Sequence, residues 1–533
     1  LFNSACHNGT IFYAKLKEKR DIFMNTHNNF TIGELIVVGF EGTEPTQALV
    51  SEIEEHHYGG IILFSRNVYS FEQARTLING FQQNRIKAGR NPLWVAIDEE
   101  GGTVSRMPVE EYTLPGARAM AQCGDTNLVY QSANRMGQLL SHLGVTVNFA
   151  PVLDVNTIPE NPGIGIRSFG STAQEVCTFS IPFIHGLHEA GIFACAKHFP
   201  GKGEIIRDSH TSLPVCDCSL QSLNSVHIPP FLRAVEAGVQ FVMTSHAIYP
   251  ALDSSHTPAT LSEPILAGLL RETYGYTGLI VSDDLEMGAI KEICSIEEAA
   301  FRAIMAGCDM VLVCHAQDKQ RRVHEYLTEK YIEDKDFRAR CHESFERIQS
   351  VKMKIQESHT AFPELLPEIS NSIAAIAISC VKGAHTFKPL NPHEKILVAG
   401  TPFRSHVEVE INRKALFDLP ECMTLLKERL SSVSVLKWDL VPTEEQRNAV
   451  TDFNFSAYDR IIIFTNNARL YPAQQELIQY TLERNPDSSI LAVIKNPEDY
   501  MLFPEAKTVF LTFGYNKTSI AALVHILCSG IGN

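Results

Sequence analysis

A lysine, two histidines and an aspartate crowd into residues 197–210, KHFPGKGEIIRDSH. Asp208 and His210 stand at i and i+2, so in extended backbone their side chains leave the chain on the same side. A carboxylate beside an imidazole orients the ring, fixes its tautomer and stabilises its charged form. That is the arrangement general acid/base chemistry needs. The plainer reading is a surface turn whose polar side chains face water. Against it stand the density of polar groups and the apolar run GIFACA at 191–196, which reads as a buried strand ending in Lys197 and His198. Pro200, Gly201 and Gly203 then break regular structure.

Other polar residues also end apolar runs. Asp98 closes LWVAID, and Ser282-Asp283-Asp284 follows GLIV. A carboxylate at such a tip can act as a nucleophile or a hydrogen-bond acceptor, and it can equally start a helix. His246 and His315 end runs too, although a satisfied buried histidine is the commoner explanation. His185 and His188, and the pair His56–His57, have no third ligand nearby and read as structural. Cys216-Asp-Cys218 is not a zinc spacing and no CxxC accompanies it, so no metal site is implied. Ala196 stands where a phosphate-binding loop needs its first glycine, and Gly203 follows Lys202 where Ser or Thr is required. Nucleotide binding at that loop is rejected.

The elements that must position these groups are legible as apolar runs at 33–40, 59–64, 93–98, 145–151, 192–198, 239–246, 278–284 and 309–315, with helical patterns between them. Continuous apolar strands alternating with helices imply parallel strands covered on both faces. Eight of them suit a (β/α)8 barrel, whose active site lies at the strand C-termini. Asp98, Lys197, His198, His246, Asp283 and His315 all fall at such ends. A doubly wound sheet is the competing architecture, but no GxGxxG follows the first strand. Residues 318–390 read as helical, and a second α/β alternation begins at 395–400 and continues at 434–440, 460–466, 489–495 and 508–515. The expected organisation is an N-terminal extension at 1–30 with a short helix near 11–24, and a barrel at 31–330. A helical connector at 331–390 and a smaller doubly wound α/β sandwich at 391–533 complete it.

Composition bounds the function. A chain of 533 residues exceeds one ordinary core, and a net charge of −15 argues against nucleic-acid or anionic-membrane partners. Thirteen cysteines, scattered and odd in number, read as reduced thiols in a cytoplasmic protein. No run of 18 apolar residues suggests a membrane span. The chain starts at Leu1 rather than Met, and the alternative to a cytoplasmic protein is one from which a preceding signal has been removed. Cys6 in LFNSAC could then mark a secreted or lipid-anchored form.

The stretch KHFPGKGEIIRDSH resembles the KHFPGHG…DSH signature of glycoside hydrolase family three, in its bacterial β-N-acetylglucosaminidase branch. IDEEGGTVSR at 97–106, RSFG at 167–170 and VSDDLEMGAI at 281–290 match in the family's order. One departure is Lys202, where the family usually has histidine. The resemblance implies a retaining exo-β-N-acetylglucosaminidase acting on peptidoglycan fragments. Asp283 would be its nucleophile, and His210 its acid/base, tuned by Asp208. It further implies that Asp98, Arg106, Arg167, Lys197 and His198 surround the non-reducing sugar. Asp284 would turn away as a helix N-terminal residue, and Glu99, in place of a common glutamine, would point away. No cofactor is required, and a monomer is expected. The alternatives are a phosphorylase, a family-three β-glucosidase, and a carbohydrate-binding relic; loss of Asp283 or His210 would have signalled the relic, and both are present.

Overall fold

A computed structural model describes residues 30–207, 213–354, 362–363, 366–403 and 418–531. The expected helix near 11–24 lies outside them. Eight parallel strands close into a barrel in chain order: β1 (Ile36–Val38), β2 (Gly60–Leu63), β3 (Trp94–Ile97), β4 (Val147–Asn148), β5 (Phe193–Phe199), β6 (Phe241–Thr244), β7 (Leu279–Asp284) and β8 (Met310–Val313). Each falls within one of the apolar runs or overshoots it by one residue, because strands buried on both faces have no polar alternation to show. β1 pairs with β8, which removes the sheet's edges.

The helices between strands start where the sequence supplies caps. Thr172 accepts from Glu175 N while the Glu175 side chain returns to the Thr172 backbone, a reciprocal pair opening the helix Ala173–Glu189. Asp125 accepts from Asn127 N and Leu128 N at the start of Thr126–Leu143, and Ser295 accepts from Glu298 N at Ile296–Ala306. These helices wrap the barrel in one continuous apolar core.

Charged groups close the barrel's lower end. Arg85 is fully buried with its Nη2 2.6 Å from Glu34 Oε1, and Lys352 Nζ reaches Glu34 Oε2 at 3.1 Å. Asp309, also fully buried, gathers Arg271, Arg340 at 3.3 Å and Arg347 at 2.8 Å, and accepts from Ile280 N at 2.9 Å. Arg340 and Arg347 belong to the helix Lys335–Lys352, so the closing helix is tied ionically to β7 and β8.

The second domain is a six-stranded sheet ordered β11-β10-β12-β13-β14-β9 with an apolar cluster on each face. Its parallel strands are β10 (Lys395–Gly400), β11 (Ser432–Lys437), β12 (Arg460–Thr465), β13 (Ser489–Val493) and β14 (Thr508–Leu511). β9 (Ser379–Lys382) runs antiparallel along β14, inside the segment the sequence pattern assigns to the connector. Its four residues are mostly half-buried and lack the apolar run that marks the other strands.

One expectation about side chains changes. Cys216 and Cys218 are joined as a disulfide rather than standing as reduced thiols, while ten other described cysteines are unpaired. The two sit two residues apart in irregular chain, with their Cα atoms 5.5 Å apart, both buried while Asp217 between them is exposed. Among the described residues, no helix is long and apolar enough to cross a membrane.

Candidate active site

The C-terminal ends of the barrel strands surround a cavity of about 470 Å³. Asp98, Arg106, Arg167, Lys197, His198 and Asp283 all line it, so six residues drawn from four separate sequence stretches converge there. Asp208 and His210 lie outside the described residues. On their N-terminal side the chain is described to Arg207, which is exposed. On the other side Leu213 N donates to Glu292 Oε2 at 3.1 Å, and Cys216 N donates to Ile248 O at 2.9 Å.

β5, the longest barrel strand and buried throughout, delivers Lys197 and His198. Lys197 Nζ donates to Asp98 Oδ1 at 2.9 Å and lies 2.7 Å from Glu100 Oε1. Arg167 grips Glu100 with two donors, Nε and Nη2, each at 2.8 Å, and gives Nη1 to Gly163 O at 2.6 Å. Burial by itself would raise the Glu100 carboxyl, but Arg167 and Lys197 outweigh it and hold the pKa at about 2. Lys197 is correspondingly held above the usual lysine value: burial opposes its charge, and Asp98 and Glu100 overcome that. Lys197 therefore stays charged, and its position is set by Glu100 as much as by Asp98, while Glu100 also fixes Arg167.

His198 is oriented from behind. Its Nδ1 lies 2.7 Å from Asp154 Oδ2, which turns Nε2 toward Asp283 Oδ2 at 3.9 Å. Asp154 is fully buried and also accepts from Lys202 N at 2.7 Å and His198 N at 3.3 Å. Burial raises the Asp154 carboxyl, opposed by the Lys202 charge and by those amides. One carboxylate thus holds both the ring and the loop that follows it. That loop passes close to its neighbours: a Cβ on Gly203 would stand 1.7 Å from Val155 O. Lys202, in the position of the family's histidine, lines the cavity.

Asp283 is the last residue but one of β7, with its side chain 19% exposed, and its Oδ1 accepts from Asp284 N at 2.9 Å. Asp284, expected to turn away, borders the cavity as well. Its Oδ1 accepts from Glu286 N at 3.1 Å and Cys314 N at 3.2 Å, so it braces the junction of β7 and β8. His315 Nε2 lies 3.3 Å from Asp284 Oδ2. His246 is the satisfied core histidine of the commoner reading: it is buried, with Nδ1 against Thr260 Oγ1 at 2.7 Å and Nε2 against Asp284 O at 3.0 Å. Burial lowers its pKa and keeps it neutral.

Glu99 turns from the cavity into the protein, where Oε2 accepts from Ser105 Oγ at 2.9 Å and Arg106 N at 2.7 Å. Burial pushes its carboxyl up to about 8, against the pull of those donors and of Arg106. The Arg106 guanidinium lies 5.9 Å from the Phe64 ring centre. Phe64, Phe149, Met243 and Leu312 add apolar surface to the cavity lining. A pocket that combines fixed charged donors and acceptors with apolar faces suits a small polyhydroxylated ligand. Glu100 and Asp154 are the two groups sequence reasoning missed. Glu100 was hidden in the acidic run Asp98-Glu-Glu100, and Asp154 lies in irregular chain beyond the two-residue strand β4.

Comparison with known proteins places the chain among glycosidases. Residues 29–351 match the glycosyl hydrolase family 3 N-terminal domain. The chain is 34% identical over 291 residues to a β-hexosaminidase of Methylobacillus flagellatus, covering 53% of this chain and 81% of that one. It is also 34% identical over 284 residues to a β-hexosaminidase of Idiomarina loihiensis, covering 52% and 83%. A family 3 β-N-acetylglucosaminidase structure from Paenibacillus sp. FPU-7 superposes with a TM-score of 0.86 at 31% identity, over 94% of this chain and 96% of that one, so the likeness takes in both domains.

Proposed function

The chain belongs to glycosyl hydrolase family 3, and on that premise we propose that it is a retaining exo-β-N-acetylglucosaminidase acting on muropeptide-type fragments. The glycosidase activity itself, removal of β-linked N-acetylhexosamine, is that of the β-hexosaminidases it resembles over the barrel. In the proposed course, Asp283 attacks the anomeric carbon while the departing oxygen takes a proton from His210. His210 then removes a proton from water as that water displaces Asp283, so the β configuration is restored. Asp208 orients and tunes the imidazole. Asp98, Lys197, Arg167, His198 and Arg106 hold the terminal sugar.

The observation that carries the reading is Asp283 at the tip of β7, its carboxylate open to the cavity and facing His198, across from the Asp98–Lys197–Glu100–Arg167 set. A charge lattice whose members are paired with one another needs little rearrangement to bind hydroxyls, which favours preorganised catalysis.

A 2-fluoro or 5-fluoro sugar with a good leaving group tests the nucleophile. Mass spectrometry should place the adduct on the peptide holding Asp283; an adduct on Asp284 overturns the assignment. The acid is tested by leaving-group dependence. His210→Ala should form the glycosyl-enzyme from an activated aryl glycoside at close to the parent rate, yet lose about 10²–10⁴-fold with a disaccharide. Equal losses on both substrates would give His210 a binding role instead. Running the disaccharide reaction in millimolar phosphate should yield free β-N-acetylglucosamine first, with no sugar 1-phosphate.

A further inference from the structure

Away from the cavity, three groups of different chemistry converge beside the β5 loop. Glu204 follows Gly203. His227 ends the turn Leu223–His227 and is fully buried against Gly201, where a Cβ would stand 2.9 Å from His227 Cβ. Cys218 is buried as well. One carboxylate oxygen, one ring nitrogen and the Cys218 sulfur all lie within 4.8 Å of one another. His227 Nε2 is 3.1 Å from Glu204 Oε2, and its buried Nδ1 has no hydrogen-bond partner among the described residues. None of the three lines the catalytic cavity.

Carboxylate, imidazole and thiolate together are the ligand set of a borderline-soft divalent ion, zinc above all. The sulfur is not yet a ligand, because it is bonded to Cys216. We infer that Glu204, Cys218 and His227 form a redox-gated zinc site, closed while the Cys216–Cys218 disulfide stands and opened when a dithiol reduces it. In that step the dithiol gives two electrons and two protons, the S–S bond becomes two thiols, and the reductant leaves as its own disulfide. Zinc then displaces the Cys218 thiol proton to solvent, and bonds form from the ion to Cys218 Sγ, a His227 nitrogen and a Glu204 oxygen. Water takes the fourth position. Glu204 and Cys218 stand on either side of Asp208 and His210 in the chain. A bound ion would therefore tie both flanks of that segment to a buried side chain of the barrel.

Cobalt(II) is the probe, because thiolate ligation gives it a sulfur-to-metal charge-transfer band. The full chain, reduced with a phosphine that is then removed, should take up an ion and show the band; the unreduced protein should show neither. Zinc added afterwards should abolish the band by displacement. Cys216→Ser, which leaves Cys218 a permanent thiol, should show the band without reductant. Cys218→Ser should lose it under all conditions, and Glu204→Gln should weaken binding about tenfold or more. An undiminished band in Cys218→Ser, or a reduced parent that takes up no more ion than Cys218→Ser, overturns the site. Should Cys218→Ser fail to fold, the Cys216→Ser arm decides: no band without reductant refutes the inference. No arm measures hydrolysis, so the outcome stands apart from the reading of the cavity.

Discussion

Glu99 keeps its proton at neutral pH one residue from Asp98, because burial outweighs the two donors that face it. Its consequence is a stability that depends on pH. A carboxyl raised from 4.5 to about 8 on folding binds a proton in the native state that the unfolded chain has already lost. Stability is therefore fully present below about pH 4.5 and falls as pH rises toward 8, by at most about 1.4 kcal/mol per pH unit. Glu99→Gln is neutral and nearly isosteric, and its oxygen can still accept from Ser105 and Arg106. It should leave stability near pH 5 close to that of the parent and raise it at pH 8, read from urea midpoints at the two pH values. A parallel loss at both would mean that the ionised carboxylate stabilises Arg106. Asp154 shows the same logic from the other side: a fully buried acid is tolerated where backbone amides and an imidazole nitrogen meet it.

At the scale of elements, the barrel's closing helix Lys335–Lys352 is anchored at Asp309 as well as through Lys352 to Glu34. Asp309 meets Arg271, Arg340, Arg347, Ser344 Oγ at 3.1 Å and the Ile280 amide, and it is fully buried. Removing this buried anion takes from Arg271 its carboxylate partner and leaves Arg340 and Arg347 only the exposed Glu343, 3.8 Å from each. Asp309→Ala should lower the stability of the barrel by about 3–5 kcal/mol, measured as an earlier urea transition. Asp309→Asn keeps the shape and loses the charge, so its loss separates the electrostatic part from packing. The elements themselves were legible because parallel buried strands read as unbroken apolar runs. β9 was not, since an antiparallel edge strand of four residues, SCVK, has neither a long apolar run nor strict alternation.

At the scale of the whole molecule, the second domain touches the loop at 159–161, which leads to the site. Asn496 Nδ2 donates to Pro159 O at 2.8 Å and Arg469 Nη1 lies 3.2 Å from Glu160 Oε1. One residue further on, Asn161 Nδ2 donates to Lys202 O at 2.8 Å, inside the loop that follows His198. Asn161 Oδ1 also accepts from Gly163 N and Ile164 N, just before Arg167. The domains are thus coupled through a chain of hydrogen bonds that ends on the cavity wall. Replacing Asn496 and Arg469 together by Ala should raise KM about fivefold, the worth of roughly 1 kcal/mol of lost positioning, with little change in kcat. Lys507→Ala, which breaks an exposed pair with Asp487 in the same domain, should leave the kinetics unchanged. Equal effects of the two would mean that domain stability, not docking, is being read.

What the sequence determined by itself is the set of strands and the tips they present. Apolar runs and the residues ending them are local features, and a parallel barrel puts every strand's C-terminal end on one face. Asp98, Lys197, His198 and Asp283 could be named before any coordinates for that reason. Tertiary structure alone decided which charges meet. Glu100 between Lys197 and Arg167, Asp154 behind His198, and Cys218 beside His227 each join side chains whose separation in sequence says nothing of their distance in space. Such pairings depend on how irregular loops cross the top of the barrel, where neither strand nor helix period leaves a trace in the residue pattern.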